Sequence, residues 1–150
     1  MALDQSFVGR TYPPTAPYEV GREKIREFAE AVGDDNPAYT DVEAAKALGH
    51  PDVIAPPTFV FAITFKAAGE VVADPQLGLD YSRVVHGDQK FSYTRPVRAG
   101  DRLSVVSTIE GIKSMAGNDF LDIRGDVYDE AGEHVVTART KLVARAAEGA

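Results

Sequence analysis

The chain has 150 residues, 16 Lys and Arg against 23 Asp and Glu for a net charge of −7, 44% hydrophobic residues, and neither Cys nor Trp. That length and apolar share suit one domain with its own core, and the acidic balance argues against nucleic acid as a partner. Without cysteine there is no disulfide, thiolate nucleophile or zinc–thiolate site, and His50, His86 and His134 lack ligand spacing, so no metal site is expected.

The N-terminal MALDQSF has no basic region and no apolar block, so no signal peptide is predicted. The longest uncharged run, Val53–Phe65, is 13 residues, short of the roughly 20 that cross a bilayer. A cytoplasmic chain with no membrane partner is the expectation.

Pro13, Pro14 and Pro17 allow only short extended pieces at the start. GREKIREFAEAV then sets Ile25, Phe28, Ala29 and Val32 on one helical face and stops at Gly33. Asp34–Asp35–Asn36–Pro37 reads as a loop, because a residue before proline avoids the α region. A short helix capped by Asp41 and ended by Gly49 would turn Ala44, Ala45 and Leu48 inward. APPTFVFAITFKAAGEVV is apolar on nearly every face until Lys66 and Glu70, with its prolines in the first turn, and predicts a buried central helix.

From residue 82 the apolar period changes to two. Val85, Phe91 and Tyr93 alternate with polar neighbours, as do Leu103, Val105 and Ile109, then Leu121, Ile123 and Val127, then Val136, Ala138, Thr140 and Leu142. Turns at Ala99–Asp101, Ala116–Asn118 and Asp129–Gly132 separate them. These elements predict an α+β domain spanning residues 1–150, a four-stranded antiparallel meander wrapped around the central helix, with a disordered tail at about 146–150. Phe59, Phe61 and Phe65 cannot all fit beneath one sheet face, which predicts a dimer, homomeric or heteromeric.

Charge is uneven: residues 1–75 carry 6 basic and 12 acidic groups, residues 76–150 carry 10 and 11. Arg83, Lys90, Arg95, Arg98 and Arg102 fall within 20 residues. They could attract an acidic or phosphate-bearing partner, or simply be a solvated strand face.

The element order, with GDDNPAY, DVIAPPTF and RPVRAGD, resembles the hot-dog fold of MaoC-like (R)-3-hydroxyacyl-thioester dehydratases and hydratases over about residues 5–145. The resemblance implies a reaction without cofactor, on an acyl-ACP or acyl-CoA substrate. An Asp and a His of a G-D-x-N-P-x-H motif would act as the acid/base pair. A backbone N–H at the entry to the central helix would hold the thioester oxygen, a contribution of about 2.7–4 kcal/mol in comparable sites.

Asp34 and Asn36 match this motif, but Tyr39 stands at the His position and Ala55–Pro56–Pro57–Thr58 replaces A-H-G-M. Phenol titrates near 10 and imidazole near 6.5, so Tyr39 is a poor base at neutral pH. Pro57 has no N–H to donate, leaving Thr58 or a shifted residue. The pattern looks most like the A-type subunit of the actinobacterial (R)-3-hydroxyacyl-ACP dehydratase, which pairs with a B-type subunit carrying the full motif.

The catalytic candidates are Asp34, Asn36, Tyr39 and, as a replacement base, His86; the substrate-binding candidates are Pro57, Thr58 and Phe59. The alternatives are structural: Asp34 and Asn36 as turn caps, Tyr39 as a packing aromatic, His86 as a surface or interface residue. His50 and His134 flank turns and are expected to be exposed. Three functions follow: a dehydratase subunit completed by a full-motif partner, an acyl-thioester-binding scaffold, or an autonomous hydratase using Tyr39 or His86.

Overall fold

The computed structural model describes residues 3–146. Helix α1, Arg22–Val32, buries Ile25 and Ala29 and half-buries Phe28. It ends at Gly33 with φ of 74°, whose N–H returns to the carbonyls of Ala29 and Glu30. Val32, expected inward, is exposed because it lies in the last turn. Helix α2, Val42–Ala47, is capped by Asp41 and buries Ala45, but it stops one residue before Leu48, which is 66% exposed rather than inward.

The central helix, α3, is Phe61–Val72, shorter than predicted. Pro56–Val60 forms tight turns instead, with the Phe59 N–H on Pro56 O at 2.9 Å and the Phe61 N–H on Thr58 O at 3.1 Å. Nor is α3 buried all round. Ile63, Thr64, Ala67, Ala68 and Val71 face the sheet, whereas Ala62, Lys66, Gly69 and Glu70 are exposed, because one concave sheet covers one side of a helix. Gly125 permits that close seating: a Cβ there would stand 3.3 Å from Val105 Cγ1 and 3.9 Å from Thr64 Cβ.

Four long strands follow: β2 (Val84–Tyr93), β3 (Arg102–Met115), β4 (Asn118–Tyr128) and β5 (His134–Ala144). A short strand, β1 (Tyr18–Glu19), precedes them, and the antiparallel order is β1-β3-β4-β5-β2. The predicted meander is therefore corrected: β2 pairs with β5, not with β3. After Tyr93 the N–H groups of Thr94 and Arg95 both turn to Val135 O, and Val97 and Ala99 bond with Ala55 and Val53, so the chain crosses to the far edge. Alternate residues of β4, from Asp119 to Val127, face the core, with Phe120, Asp122, Arg124 and Asp126 between them half-buried on the other face.

The outer edge of β3 is covered by residues 9–19, where N–H groups of Gly9, Tyr12 and Thr15 bond to Ile109, Ser107 and Val105 carbonyls at 2.8, 2.8 and 3.0 Å. The other edge, β2, has no strand beside it among the described residues over its ten-residue length. Such an edge is a template for strand addition. Of the expected frayed tail, residues 147–150 lie outside the described residues, while the Ala146 N–H is tied to Asn118 Oδ1 at 2.8 Å. No helix among the described residues is long and apolar enough to cross a membrane.

The N-terminal strap is also held to the loop after α3. Tyr12 donates its hydroxyl proton to Asp74 Oδ2 at 2.7 Å, and Arg10 reaches the same oxygen at 3.0 Å. Burial, then the Asp74 carboxylate, pushes the Tyr12 phenol up to about 12. A group raised above its unfolded value near 10 contributes stability that is complete below pH 10 and lost as pH rises toward 12. Urea midpoints measured between pH 9 and 11.5 should fall for the wild type, and fall less steeply in Tyr12→Phe.

Candidate active site

The motif loop is built by its own side chains. Asn36 Oδ1 accepts the Ala38 N–H at 3.0 Å and so caps the turn Pro37–Tyr39, while Asp34 Oδ1 accepts the Asn36 N–H at 3.3 Å. Both residues are exposed in the single chain. The turn drives Tyr39 inward to 7% exposure, into the core cluster that also holds Phe59, Ile25 and Ala29. Burial first, and the Asp34 carboxylate second, raise the Tyr39 phenol above its ordinary value. At neutral pH the phenol is thus neutral, and Tyr39 can hold or donate a proton but not remove one.

Tyr39 lines a cavity of about 260 Å3 with Ile54, Ala55, Pro57, Tyr93 and Arg95. Tyr93 donates its hydroxyl proton to Pro57 O and is itself pushed up by burial. That bond ties β2 to the turn at the head of α3. The exposed Thr58 N–H makes no hydrogen bond with the protein among the described residues, so at this turn an amide donor is available one residue after Pro57. Phe59, expected to meet substrate, is a core residue at 2% exposure, edge-on to Phe28 with ring centroids 5.5 Å apart.

His86 does not join this group within the chain. It lies seven residues before Tyr93 on β2, about 20 Å away at the usual rise per residue. There it stands edge-on to Phe61 and Phe65, at 5.8 and 6.4 Å, and within 3.2 Å of Gln89 Oε1. Phe61 and Phe65 stack on each other, half-buried, and with Phe59 in the core the three aromatics do not share one sheet face.

The basic residues also disperse. Arg83 opens the far end of β2 and pairs with Asp80 at 2.9 Å, and Lys90 faces Asp88 at 3.8 Å. Arg95 is taken up internally: its two terminal nitrogens grip Asp101 at 2.9 Å each, and one reaches Asp129 at 3.1 Å. Arg98 and Arg102 have no ion-pair partner among the described residues, and Arg102 is exposed.

Sequence reasoning missed two features. Tyr93 reads only as one alternating strand residue, and its bond to Pro57, 36 positions away, has no local signal. His50 and His134, both expected to be exposed, are half-buried, and His134 has Nδ1 2.6 Å from Thr94 Oγ1 and Nε2 2.7 Å from Thr137 Oγ1. Thr137 in turn donates to Asp126 Oδ1 at 2.7 Å, so the imidazole braces the β2–β5 pair.

A family model described as FAS1-like, dehydratase domain region, matches residues 6–138. The chain belongs to this family. Proteins named UPF0336 are similar to this FAS1-like dehydratase-domain chain along their length. One from Streptomyces coelicolor is 89% identical over 150 residues, covering 100% of both chains, and one from Saccharopolyspora erythraea is 61% identical over 145 residues, covering 97% of this chain and 93% of its own.

Among solved structures, the C-terminally truncated HadBC (3R-hydroxyacyl-ACP dehydratase) complex of Mycobacterium tuberculosis matches with a TM-score of 0.83 at 33% identity, over 95% of this chain and 99% of that one. A MaoC-like dehydratase matches with a TM-score of 0.87 at 34% identity, over 95% of this chain, which spans 43% of that chain's length. The curled antiparallel sheet around α3 is the hot-dog fold of these MaoC-like members of the dehydratase family.

Proposed function

We propose that the chain is one subunit of an (R)-3-hydroxyacyl-thioester dehydratase or hydratase of cytoplasmic fatty-acid metabolism, acting on acyl-ACP or acyl-CoA, with its chemistry completed by a full-motif partner. The carrying observation is the Asp34–Tyr39 pair. Elimination needs a base for the α-proton and an acid for the leaving hydroxyl; this pair offers no imidazole to do either and exchange protons near neutrality. The loss of an N–H at Pro57 removes a second role. The unpaired β2 edge, ten residues long, supports strand-to-strand joining with such a partner, and the similar HadBC structure is described as a complex.

In this arrangement Tyr39 and Tyr93 shape the cavity wall, the Thr58 N–H is the donor left for a carbonyl oxygen, and Arg98 and Arg102 are the cations left for an acidic carrier. The capping bonds of Asp34 and Asn36 favour one other reading, a thioester-binding subunit without turnover. Hydration of a trans-2-enoyl thioester, followed with the purified chain and again after co-expression with a full-motif MaoC-like chain, decides. Activity only together is expected. Equal activity of the chain alone, or none in either preparation, would overturn the proposal.

A further inference from the structure

α3 has two flanks. Phe65, Ala68 and Val72 lie toward β2, whereas Ala62, Ile63 and Ala67 lie toward the N-terminal strap and line a cavity of about 650 Å3. That volume sits within the roughly 300–1,000 Å3 of small-molecule sites. The facing wall, Thr15–Tyr18, is rigid: it contains Pro17, the Thr15 N–H bonds to Val105 O at 3.0 Å, Thr15 Oγ1 accepts the Val105 N–H at 2.9 Å, and Tyr18 is laddered to Leu103. Tyr12 and Arg10 anchor the strap to Asp74 just upstream. A wall held at so many points cannot collapse onto α3, so the groove is pre-formed.

Its charged groups are three: Lys24 from α1, and Lys66 and Glu70 from α3. Lys24 reaches only Glu27, at 3.9 Å, and Lys66 has no carboxylate within 4.0 Å among the described residues. Lys24 is drawn toward Glu27, so the cation left without a carboxylate is Lys66, one ammonium beside an apolar channel, which suits a monoanion better than a dianionic phosphate. The groove also stands apart from the Tyr39 cavity. One touches Tyr18 of β1 and the other Tyr93 of β2, the opposite edges of the sheet.

We infer that this groove binds a free single-chain fatty-acid carboxylate, with its tail along Ala62, Ile63 and Ala67 and its head between Lys24 and Lys66. The inference does not depend on the proposed dehydratase role, and failure of the hydration assay leaves it standing.

Calorimetric titration of the full chain with octanoate, decanoate and dodecanoate tests it, alone and in the co-expressed complex. One saturable site is expected, with affinity rising by about fourfold per added methylene. Decanol should bind at least about fivefold more weakly than decanoate, and the Lys24→Gln/Lys66→Gln double variant about tenfold more weakly at low salt. Ala16→Trp and Ala62→Trp, both at exposed positions, should block the groove without changing the urea midpoint, while Tyr39→Phe should bind like the wild type. Absence of saturable binding in both preparations, equal affinity for decanol and decanoate, or loss of binding in Tyr39→Phe but not in the Trp variants would overturn the assignment.

Discussion

Arg95→Ala is expected to lower the free energy of unfolding by about 3 kcal/mol and the Tm by about 6–12 °C. The cause is geometric. Arg95 forks onto both oxygens of Asp101 and also reaches Asp129, with side-chain exposures of 19%, 7% and 12%. Removing it leaves the nearly buried Asp101 carboxylate with one backbone donor, the Arg98 N–H at 2.9 Å. The usual loss for breaking such a pair is about 3–5 kcal/mol, and the residual solvent access of Arg95 places this case at the lower end.

Arg95→Lys should recover less than half, since an ammonium cannot make the two parallel bonds of a guanidinium. Urea titrations of the three chains measure both effects. An acid limb accompanies them. Backbone N–H donation from Glu133, and after it Arg95, holds the Asp129 carboxyl below its usual range, so its contribution is present above the unfolded carboxylate value and is lost as pH falls through the lower folded one. Arg95→Ala should soften that acid loss.

The same cluster shows why the basic window misleads in sequence. Five cations within 20 residues suggest a patch, but Arg83 just precedes β2 and Arg95 just follows it, at opposite ends of that strand, and the acids that claim Arg95 sit 6 and 34 positions further on. RPVRAGD is legible as a turn; that its Arg and Asp clamp each other follows only once Gly100, with φ of 92°, has folded the segment back. Helix α1 was legible because Ile25 and Ala29 repeat at helical spacing and Gly33 ends them. The strands were legible by alternation, but their order was not, since β2 pairs with β5 between residues 43 to 60 positions apart, from Tyr93 with Val136 to Val84 with Ala144.

The departures at the site were the most legible part of all. Tyr39 in the His position and Pro57 in the donor position are statements about residue type, and the structure adds their surroundings: a buried phenol against Asp34, and a free N–H one residue past the proline. What single residues could not show is that His86 lies at the other end of β2, beside Phe61 and Phe65, rather than behind Tyr39.

If those two departures are what silence the isolated chain, reversing them should restore enoyl-thioester hydration without a partner. Tyr39→His supplies an imidazole facing Asp34, and acid/base assistance of that kind contributes about 10²–10⁴-fold. Pro57→Gly returns a backbone N–H at the head of α3, and one donor to a developing oxyanion contributes about 10²–10³-fold. The substitutions act on different steps of charge development, proton transfer and oxyanion stabilisation, so the double variant should exceed Tyr39→His by most of the second factor. Pro57→Gly alone should change little, because a donor without a base stabilises an anion that never forms. Single-turnover hydration by the four chains, with circular dichroism to confirm folding, reads these differences directly. A double variant no more active than the wild-type chain, though folded, would show that the missing groups lie elsewhere and that the partner contributes more than a base and a donor.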